Sequence, residues 1–287
     1  MKRQFTYKES LRGILYLVAT PIGNLSDLSA RALSVLKEVD VIAAEDTRNS
    51  GRLLAHFDIK KPLISLHEHN EAEMSERVIS FLTDKKNVAY ISDAGSPGIS
   101  DPGQRLVQKV LAADFPISYV PGPVAAITGL IPSGINSDHF LFYGFLDSRK
   151  SRRLQELNKL ADFPYTIIFY ESPHRIKATI NDFLLVFHNR KAVIARELTK
   201  IHEEYIYGSL EELAALEENT LKGEMVIVVE GLSSDDTSLD EDTVYRELKT
   251  RIQNQMSAKD AIKEVSILYK YPKNEVSRLY YQKLKKE

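Results

Sequence analysis

The sequence contains no cysteine among its 287 residues. Disulfide bridges, cysteine-ligated zinc or iron–sulfur centres and cysteine nucleophiles are therefore excluded. No stretch approaches the roughly 18 consecutive apolar residues that span a membrane, and no apolar signal-peptide core follows the first residues. We therefore expect a cytoplasmic protein that has no membrane partner.

Glycine-rich phosphate loops are also missing. The sequence has no G-x-x-x-x-G-K-[ST] motif and no G-x-G-x-x-G motif after a predicted strand, and these motifs mark nucleoside triphosphate and dinucleotide sites. A ligand held by backbone and apolar groups is favoured instead. Neither sign of charge is in large excess, because 38 Lys and Arg face 40 Asp and Glu. The net charge therefore neither requires nor excludes a nucleic-acid partner.

The chain length corresponds to about two domains, at roughly 150 residues for each. In residues 13–122, short apolar runs alternate with segments of helical periodicity, which predicts an N-terminal α/β domain with a mainly parallel sheet and strands at residues 14–19, 40–44, 88–91 and 117–120. Residues 123–232 form a second predicted α/β domain with strands at residues 165–170, 191–195 and 225–229. An acidic linker is predicted at residues 233–242. Residues 243–287 carry 11 Lys or Arg against 5 Asp or Glu, and they predict a small basic module of three helices.

Four predicted strands of the first two domains end in segments that are unusual for connectors. In an open parallel sheet, ligands bind beyond the carboxyl ends of the strands. The segment 93–103 holds three Gly and two Pro in eleven residues; Gly permits close backbone approach to a ligand, and Pro makes the loop rigid. We predict a small-molecule site there, with ordinary turn residues as the alternative. The other three segments are residues 20–24, 45–48 and 121–123.

A cluster of ionisable residues follows, at His67, Glu68 and His69. If this stretch is extended, the two histidines share one side, as a pair of metal ligands would. No third ligand stands at a recognisable spacing, so we expect no metal. A substrate contact or a proton relay is favoured, because histidine titrates near neutral pH, and a solvated loop is the alternative.

Several long motifs, in order along residues 13–232, resemble the ribosomal RNA small-subunit methyltransferases of the tetrapyrrole methylase-like superfamily. The resemblance implies two α/β domains of the tetrapyrrole methylase type, with a mixed second sheet, that bind S-adenosylmethionine in the cleft between them. It also implies a homodimer that methylates the ribose 2′-oxygen of a cytidine in the decoding region of 16S rRNA, within the 30S subunit. The motifs are residues 18–25, 44–48, 67–70, 92–103, 120–123, 169–175, 195–200 and 222–224.

The same resemblance assigns roles to individual residues. Glu45 matches the assigned base of related enzymes, and His67 and Glu68 are expected beside it in the catalytic group. A helix cap or a salt bridge with Arg48 is the alternative role for Glu45. The residues expected to bind the cofactor are Pro21, Asp93, Ala94, Gly95, Ser96, Ile99, Val124, Ala125, Tyr170 and Glu197. Positive charge, and not the resemblance, indicates the residues expected to contact RNA, which are Arg48, Arg149, Lys150, Arg152, Arg153 and Arg175.

Two other functions fit parts of the sequence. One is a tetrapyrrole or other small-molecule methyltransferase with the same cofactor site; however, Ser96 stands where such enzymes usually carry an acidic residue, which argues against it. The other is a nucleic-acid-binding regulator that acts through the C-terminal helices. In those helices Tyr269, Tyr271, Tyr280 and Tyr281 either stack on bases or fill a small core. The four cations between residues 149 and 153 are either phosphate contacts or a solvated loop.

Overall fold

The computed structural model describes residue 3 and residues 12–217, 221–232, 241–253, 256–268 and 273–284. Most of the predicted acidic linker, together with Tyr269 and Tyr271, lies outside the described residues. Among the helices of these ranges, none combines the length and the apolar character that crossing a membrane requires.

The first half of the chain forms a five-stranded sheet in which every pairing is parallel. Its strand order is β3-β2-β4-β1-β5, so the predicted parallel sheet is confirmed. Strands β2 and β4 are buried along their whole length, because apolar clusters cover both faces of the sheet. The strands are β1 (Leu15–Val18), β2 (Val41–Ala44), β3 (Leu63–Ser65), β4 (Val88–Ile91) and β5 (Ile117–Val120). The helices that connect them are α1 (Ala30–Glu38), α2 (Thr47–His56), α3 (Glu71–Thr83) and α4 (Gln104–Ala112).

The second half forms a mixed five-stranded sheet, as the sequence analysis expected. Its order is β6-β7-β10-β8-β9, and β6 pairs with β7 in parallel while the other pairings are antiparallel. The strands are β6 (Phe140–Phe145), β7 (Thr166–Glu171), β8 (Lys191–Arg196), β9 (Glu204–Ser209) and β10 (Met225–Val229). The helices are α5 (Ala125–Leu130), α6 (Lys150–Leu160), α7 (Ile176–Phe187) and α8 (Leu210–Ala214).

The C-terminal residues form three helices with a core of their own. They are α9 (Glu241–Gln253), α10 (Ala258–Leu268) and α11 (Lys273–Leu284), close to the predicted positions. Helix α9 begins inside the predicted linker. Each helix packs against the other two through buried aliphatic side chains, including Leu248, Val265 and Val276. Tyr280 packs against this core, which confirms the core role for it, and Tyr281 is exposed.

Candidate functional site

The site is built where the loops that follow β1 and β4 meet, at the carboxyl edge of the first sheet. Thr20 and Gly95 form an isolated antiparallel bridge. The Gly95 N–H donates to the Thr20 carbonyl at 3.1 Å, and the Thr20 N–H donates to the Gly95 carbonyl at 2.8 Å. Gly95 has φ +74°, a left-handed conformation that glycine adopts without steric cost. The bridge therefore fixes the glycine-rich segment beside the end of β1.

A cavity of about 420 Å³ opens between this edge and the second sheet. Its walls come from both halves of the chain, which brings together loop residues that are distant in sequence. Among the residues expected to bind the cofactor, those that line it are Ala94, Gly95, Ser96, Ile99, Val124, Ala125, Tyr170 and Glu197. Pro21 and Asp93 are not among the lining residues, whereas Ile22, the residue after Pro21, is one of them. The Asp93 carboxylate instead accepts hydrogen bonds from the Asp46 N–H at 3.2 Å and the Asn49 amide at 3.0 Å.

Aromatic side chains form the wall that the second sheet contributes. The Tyr170 hydroxyl accepts a hydrogen bond from the Ala126 N–H at 3.1 Å, which ties β7 to the start of α5. The rings of Phe142 and Phe145 meet the Tyr170 ring edge-on, at centroid distances of 4.9 and 5.6 Å. Phe145 lines the cavity and is 53% exposed. Sequence analysis missed Phe145 because it assigned no strand to residues 140–145.

The loop between β8 and β9 closes the cavity from the other side. Glu197 and Thr199 have φ values of +50° and +65°, which are rare for residues with a side chain and point to a functional constraint on this loop. The Lys200 ammonium lies 3.0 Å from the Glu197 carboxylate. A Cβ at Gly23 would stand 2.7 Å from Lys200 Cγ. The loops of the two halves are therefore in direct contact at this glycine.

Carboxylates gather where β2 and β4 end. Burial, and then the charge of Asp93, raises the pKa of Glu45, while the Asp93 backbone and His67 lower it. Burial, and then the charge of Glu45, raises the pKa of Asp101 to about 6. Among the described residues the Tyr90 hydroxyl has no hydrogen-bond partner, and burial raises its pKa as well. This end of the sheet therefore gathers carboxylates that repel one another, of which Glu45 and Asp101 are partly buried and Asp93 is exposed.

The helix cap and the salt bridge with Arg48, which were the alternative roles for Glu45, are both formed by Asp46. Asp46 caps α2, because its carboxylate accepts the Arg48 N–H at 2.8 Å. Asp46 also forms the ion pair with Arg48 at 2.7 Å, and this pair lowers the pKa of Asp46 to about 2. Glu45 is half-buried and does not line the cavity.

His67 and Glu68 lie in a turn and not in an extended segment, because β3 already ends at Ser65. The His67 N–H donates to the Asn70 side chain at 2.8 Å and so holds the turn. The His67 ring acts electrostatically on Glu45, and its buried Nδ1 has no hydrogen-bond partner in the part of the chain that the structure describes. Glu68 points to solvent. Within the described ranges, no three His, Asp or Glu side chains form a group that fits a metal ion.

The prediction that Arg153 contacts RNA is wrong. Arg153 is 4% exposed, and its guanidinium pairs with the equally buried Asp182 at 2.7 Å. A buried pair of this kind is not available to a phosphate. Arg149, Lys150 and Arg152 remain exposed at the start of α6.

The other two arginines expected to contact RNA differ in exposure. The Arg175 side chain donates to the Leu146 carbonyl at 2.8 Å and lies 3.4 Å from the buried Glu171 carboxylate, so it ties the segment after β6 to α7. Arg48 is exposed and is engaged only with Asp46 among the contacts found. Of these two, Arg48 is the better placed to meet a large substrate.

Comparison with known proteins gives a consistent assignment. Residues 14–214 match the family model described as Tetrapyrrole (Corrin/Porphyrin) Methylases. A protein of Halalkalibacterium halodurans named Ribosomal RNA small subunit methyltransferase I is 43% identical and covers 98% of this chain and 100% of that protein. A protein of the same name from Haemophilus influenzae is 45% identical and covers 92% of this chain and 95% of that protein.

A solved structure shares the fold at much lower identity. The uroporphyrin-III C-methyl transferase of Thermus thermophilus, complexed with S-adenyl homocysteine, has a TM-score of 0.56 at 18% identity. The match covers 75% of this chain and 97% of that one. The long, high-identity matches and the family model agree with the two-sheet architecture and its shared cavity. The chain therefore belongs to the tetrapyrrole methylase family and, within it, to the group of methyltransferases named ribosomal RNA small subunit methyltransferase I.

Proposed function

We propose that this methyltransferase uses S-adenosylmethionine to methylate the ribose 2′-oxygen of a cytidine in the decoding region of 16S rRNA. The observation that carries the proposal is the cavity between the two sheets, whose walls include eight residues of the expected cofactor set. Relatives that match over nearly their whole length carry the name of a small-subunit rRNA methyltransferase. The substrate hydroxyl and the cytidine are the parts of the proposal that experiment must establish.

The chemistry of the cavity fits this cofactor. Its volume of about 420 Å³ falls within the usual range of roughly 300 to 1,000 Å³ for ligand pockets. Backbone groups of the glycine-rich loop and the Tyr170 ring suit a flat purine, and the exposed Glu224 carboxylate on the wall suits a cationic ligand. S-adenosylmethionine, when bound, supplies an electrophilic methyl carbon on a sulfonium centre.

The residues of this chain then have to position the hydroxyl and accept its proton. A ribose hydroxyl is a weak acid, so its proton must pass to a base as the oxygen attacks. The carboxylates at the ends of β2 and β4 supply candidate acceptors, and Glu45 is the one that the sequence resemblance indicates. The raised pKa of Glu45 makes its carboxylate a better base than one in water. His67 acts on the Glu45 carboxylate and is a candidate proton relay.

We further propose that the enzyme works in the cytoplasm on the 30S subunit, as a homodimer. Ile131 and Tyr207 support the dimer, because both are largely exposed and the Tyr207 hydroxyl donates to the neighbouring Pro132 carbonyl at 2.9 Å. Exposed apolar side chains that cluster in this way are typical of interfaces between proteins. Sedimentation of the purified protein would measure its oligomeric state.

Methyl transfer from labelled S-adenosylmethionine tests the proposed activity. Small ribosomal subunits from a strain that lacks the gene should accept one methyl group, and mapping should place it on a cytidine ribose. A uroporphyrinoid macrocycle, offered in parallel, should accept none. Transfer to the macrocycle and not to the subunit would favour the small-molecule alternative.

The exposed cations at the start of α6 provide a test of RNA contact. Replacing Arg149, Lys150 and Arg152 together by Gln should weaken subunit binding and lower the slope of log affinity against log salt by about 2 to 3, at roughly 0.7 to 0.9 for each lost phosphate contact. Cofactor affinity should not change. The matched control replaces three exposed lysines that precede β2, β3 and β4, at the opposite edge of the first sheet: Lys37, Lys60 and Lys85. Equal slopes in both variants would show that the first set is only a solvated surface.

A further inference from the structure

Four carboxylates line the cavity. Three of them are already stabilised by a hydrogen bond, an ion pair or water. Glu171 is 2% exposed and accepts hydrogen bonds from the Ser172 N–H at 2.8 Å and the Thr179 hydroxyl at 2.6 Å. Glu197 pairs with the Lys200 ammonium at 3.0 Å. Glu224 is exposed, so water solvates its charge. Asp101 is the fourth, and among the described contacts its carboxylate has no cationic partner.

The segment that carries Asp101 is held rigidly. The Gly98 N–H donates to the Pro102 carbonyl at 3.1 Å. The buried Glu71 carboxylate accepts the Gly103 N–H at 3.1 Å and the Leu106 N–H at 3.0 Å, which fixes the segment to the first turn of α4. A Cβ at Gly103 would lie 2.6 Å from the Tyr90 ring, so the loop rests directly on that buried side chain. Asp101 therefore has a defined place on the cavity wall.

The groups that surround Asp101 belong to several elements. Glu45 follows β2, Asp93 follows β4 and Glu224 precedes β10. Each of these carboxylates raises the pKa of Asp101, after the larger effect of burial. A hydrogen bond from the Ser92 side chain acts in the opposite direction. Tyr90 and Tyr170 also face Asp101, and its charge contributes to the raised pKa of each phenol. Asp101 is thus the carboxylate that belongs to both the cavity wall and the Glu45 cluster.

We propose that Asp101 accepts the proton of the substrate hydroxyl during methyl transfer. The inference rests on the proposed function and names the acceptor within it. As the hydroxyl oxygen bonds to the methyl carbon, the carbon–sulfur bond breaks and its electron pair stays on the sulfur, which becomes a neutral thioether. The hydroxyl proton passes to the Asp101 carboxylate, and the resulting carboxylic acid later releases it to solvent. Glu45 is then a positioning residue, which acts through its charge on Asp101.

Single-turnover methylation of small ribosomal subunits, at saturating cofactor and subunit, tests the assignment. Asp101→Asn should lower the rate by about 10²- to 10⁴-fold, as loss of a general base does. It should also abolish the rise in rate across pH 5 to 7 that titration of Asp101 predicts for the native enzyme. Affinities for S-adenosylmethionine and S-adenosylhomocysteine, measured by calorimetry, should stay within about threefold of the native values. Asp84→Asn is the matched control, because Asp84 is exposed at the opposite edge of the sheet, before β4.

Two further variants separate chemistry from folding. Asp101→Ala should regain part of its rate when formate is added, because the small carboxylate fits where the side chain was removed. Asp101→Glu keeps an ionisable group and should retain the pH dependence at a reduced rate. If Asp101→Asn does not fold, these two variants carry the test, with melting temperature as the measure of folding.

Three results would overturn the inference. A rate for Asp101→Asn within about fivefold of the native enzyme, with an unchanged pH profile, would exclude the role. Weaker binding of S-adenosylmethionine but not of S-adenosylhomocysteine, at a native maximal rate, would make Asp101 a counter-charge for the sulfonium. If the native enzyme transfers no methyl group to the subunit, the proposed function fails and this inference falls with it. Methyl transfer by the native enzyme therefore distinguishes failure of the Asp101 role from failure of the proposed function.

Discussion

Gly95 offers a direct test of the cavity as the cofactor site. A Cβ at this position would meet Ile22 Cγ2 at 3.3 Å and the Pro123 carbonyl at 3.8 Å, and the position lines the cavity. In Gly95→Leu, three more carbons would extend from that point into the space for the ligand. Overpacking typically costs about 1 to 3 kcal/mol, which corresponds to a roughly 5- to 150-fold loss of cofactor affinity by calorimetry.

Gly98 supplies a matched control in the same loop. Its φ of +82° is close to the +74° of Gly95, but it is exposed and nothing lies within 4 Å of a Cβ built there. Both leucine variants should lose about 1 to 2 kcal/mol of stability to left-handed strain, a fall of roughly 2 to 8 °C in melting temperature. Only Gly95→Leu should lose cofactor affinity. Equal affinities in the two variants would refute the placement of the cofactor beside Gly95.

Two further variants probe the cluster and the scaffold. Glu45→Gln removes a negative charge that raises the pKa of Asp101, so the pH–rate profile should move to lower pH with the rate at neutral pH nearly kept; a fall of 10²-fold or more at pH 7 would instead identify Glu45 as the base. Arg153→Leu leaves the buried Asp182 carboxylate only the exposed Lys150 ammonium at 3.9 Å and should cost about 3 to 5 kcal/mol in denaturant unfolding. A loss below about 1 kcal/mol would contradict this estimate.

The strands that sequence analysis missed share one position in the fold. β3, β6 and β9 are all edge strands, and none of their residues forms a continuous buried run. The predicted strands β2, β4 and β10 are buried along their whole length. An apolar run reveals a strand that is covered on both faces, whereas the edge strand β9 mixes polar and apolar residues. The edge strand β6 is mostly apolar, but Gly144 interrupts its run where the pairing with β7 shifts register. The centres of both sheets could therefore be predicted, but three of their edges could not.

The residues of the site also divide into those that the sequence predicts and those that it does not. Residues of the glycine-rich segment were predictable, because its composition is unusual for a connector. Phe145 was not, because an exposed aromatic residue on an edge strand has no distinguishing pattern. The four cations at residues 149–153 look alike in sequence, but helical geometry turns Arg153 inward to Asp182. Only tertiary packing could separate it from its neighbours.

The attachment of Glu71 to the start of α4 has a consequence for ligand selection. The first N–H groups of a helix after a glycine-rich loop often hold phosphate, because they carry partial positive charge. Here the Glu71 carboxylate already occupies the N–H groups of Gly103 and Leu106. On the cavity wall Asp101 and Glu224 add carboxylates, while Glu197 is paired with Lys200, so a polyphosphate would meet neither free N–H groups at the start of α4 nor an unpaired cation among the described lining residues. Abundant cellular nucleotides such as ATP, which share the adenosine of the proposed cofactor, are therefore poor competitors for this pocket.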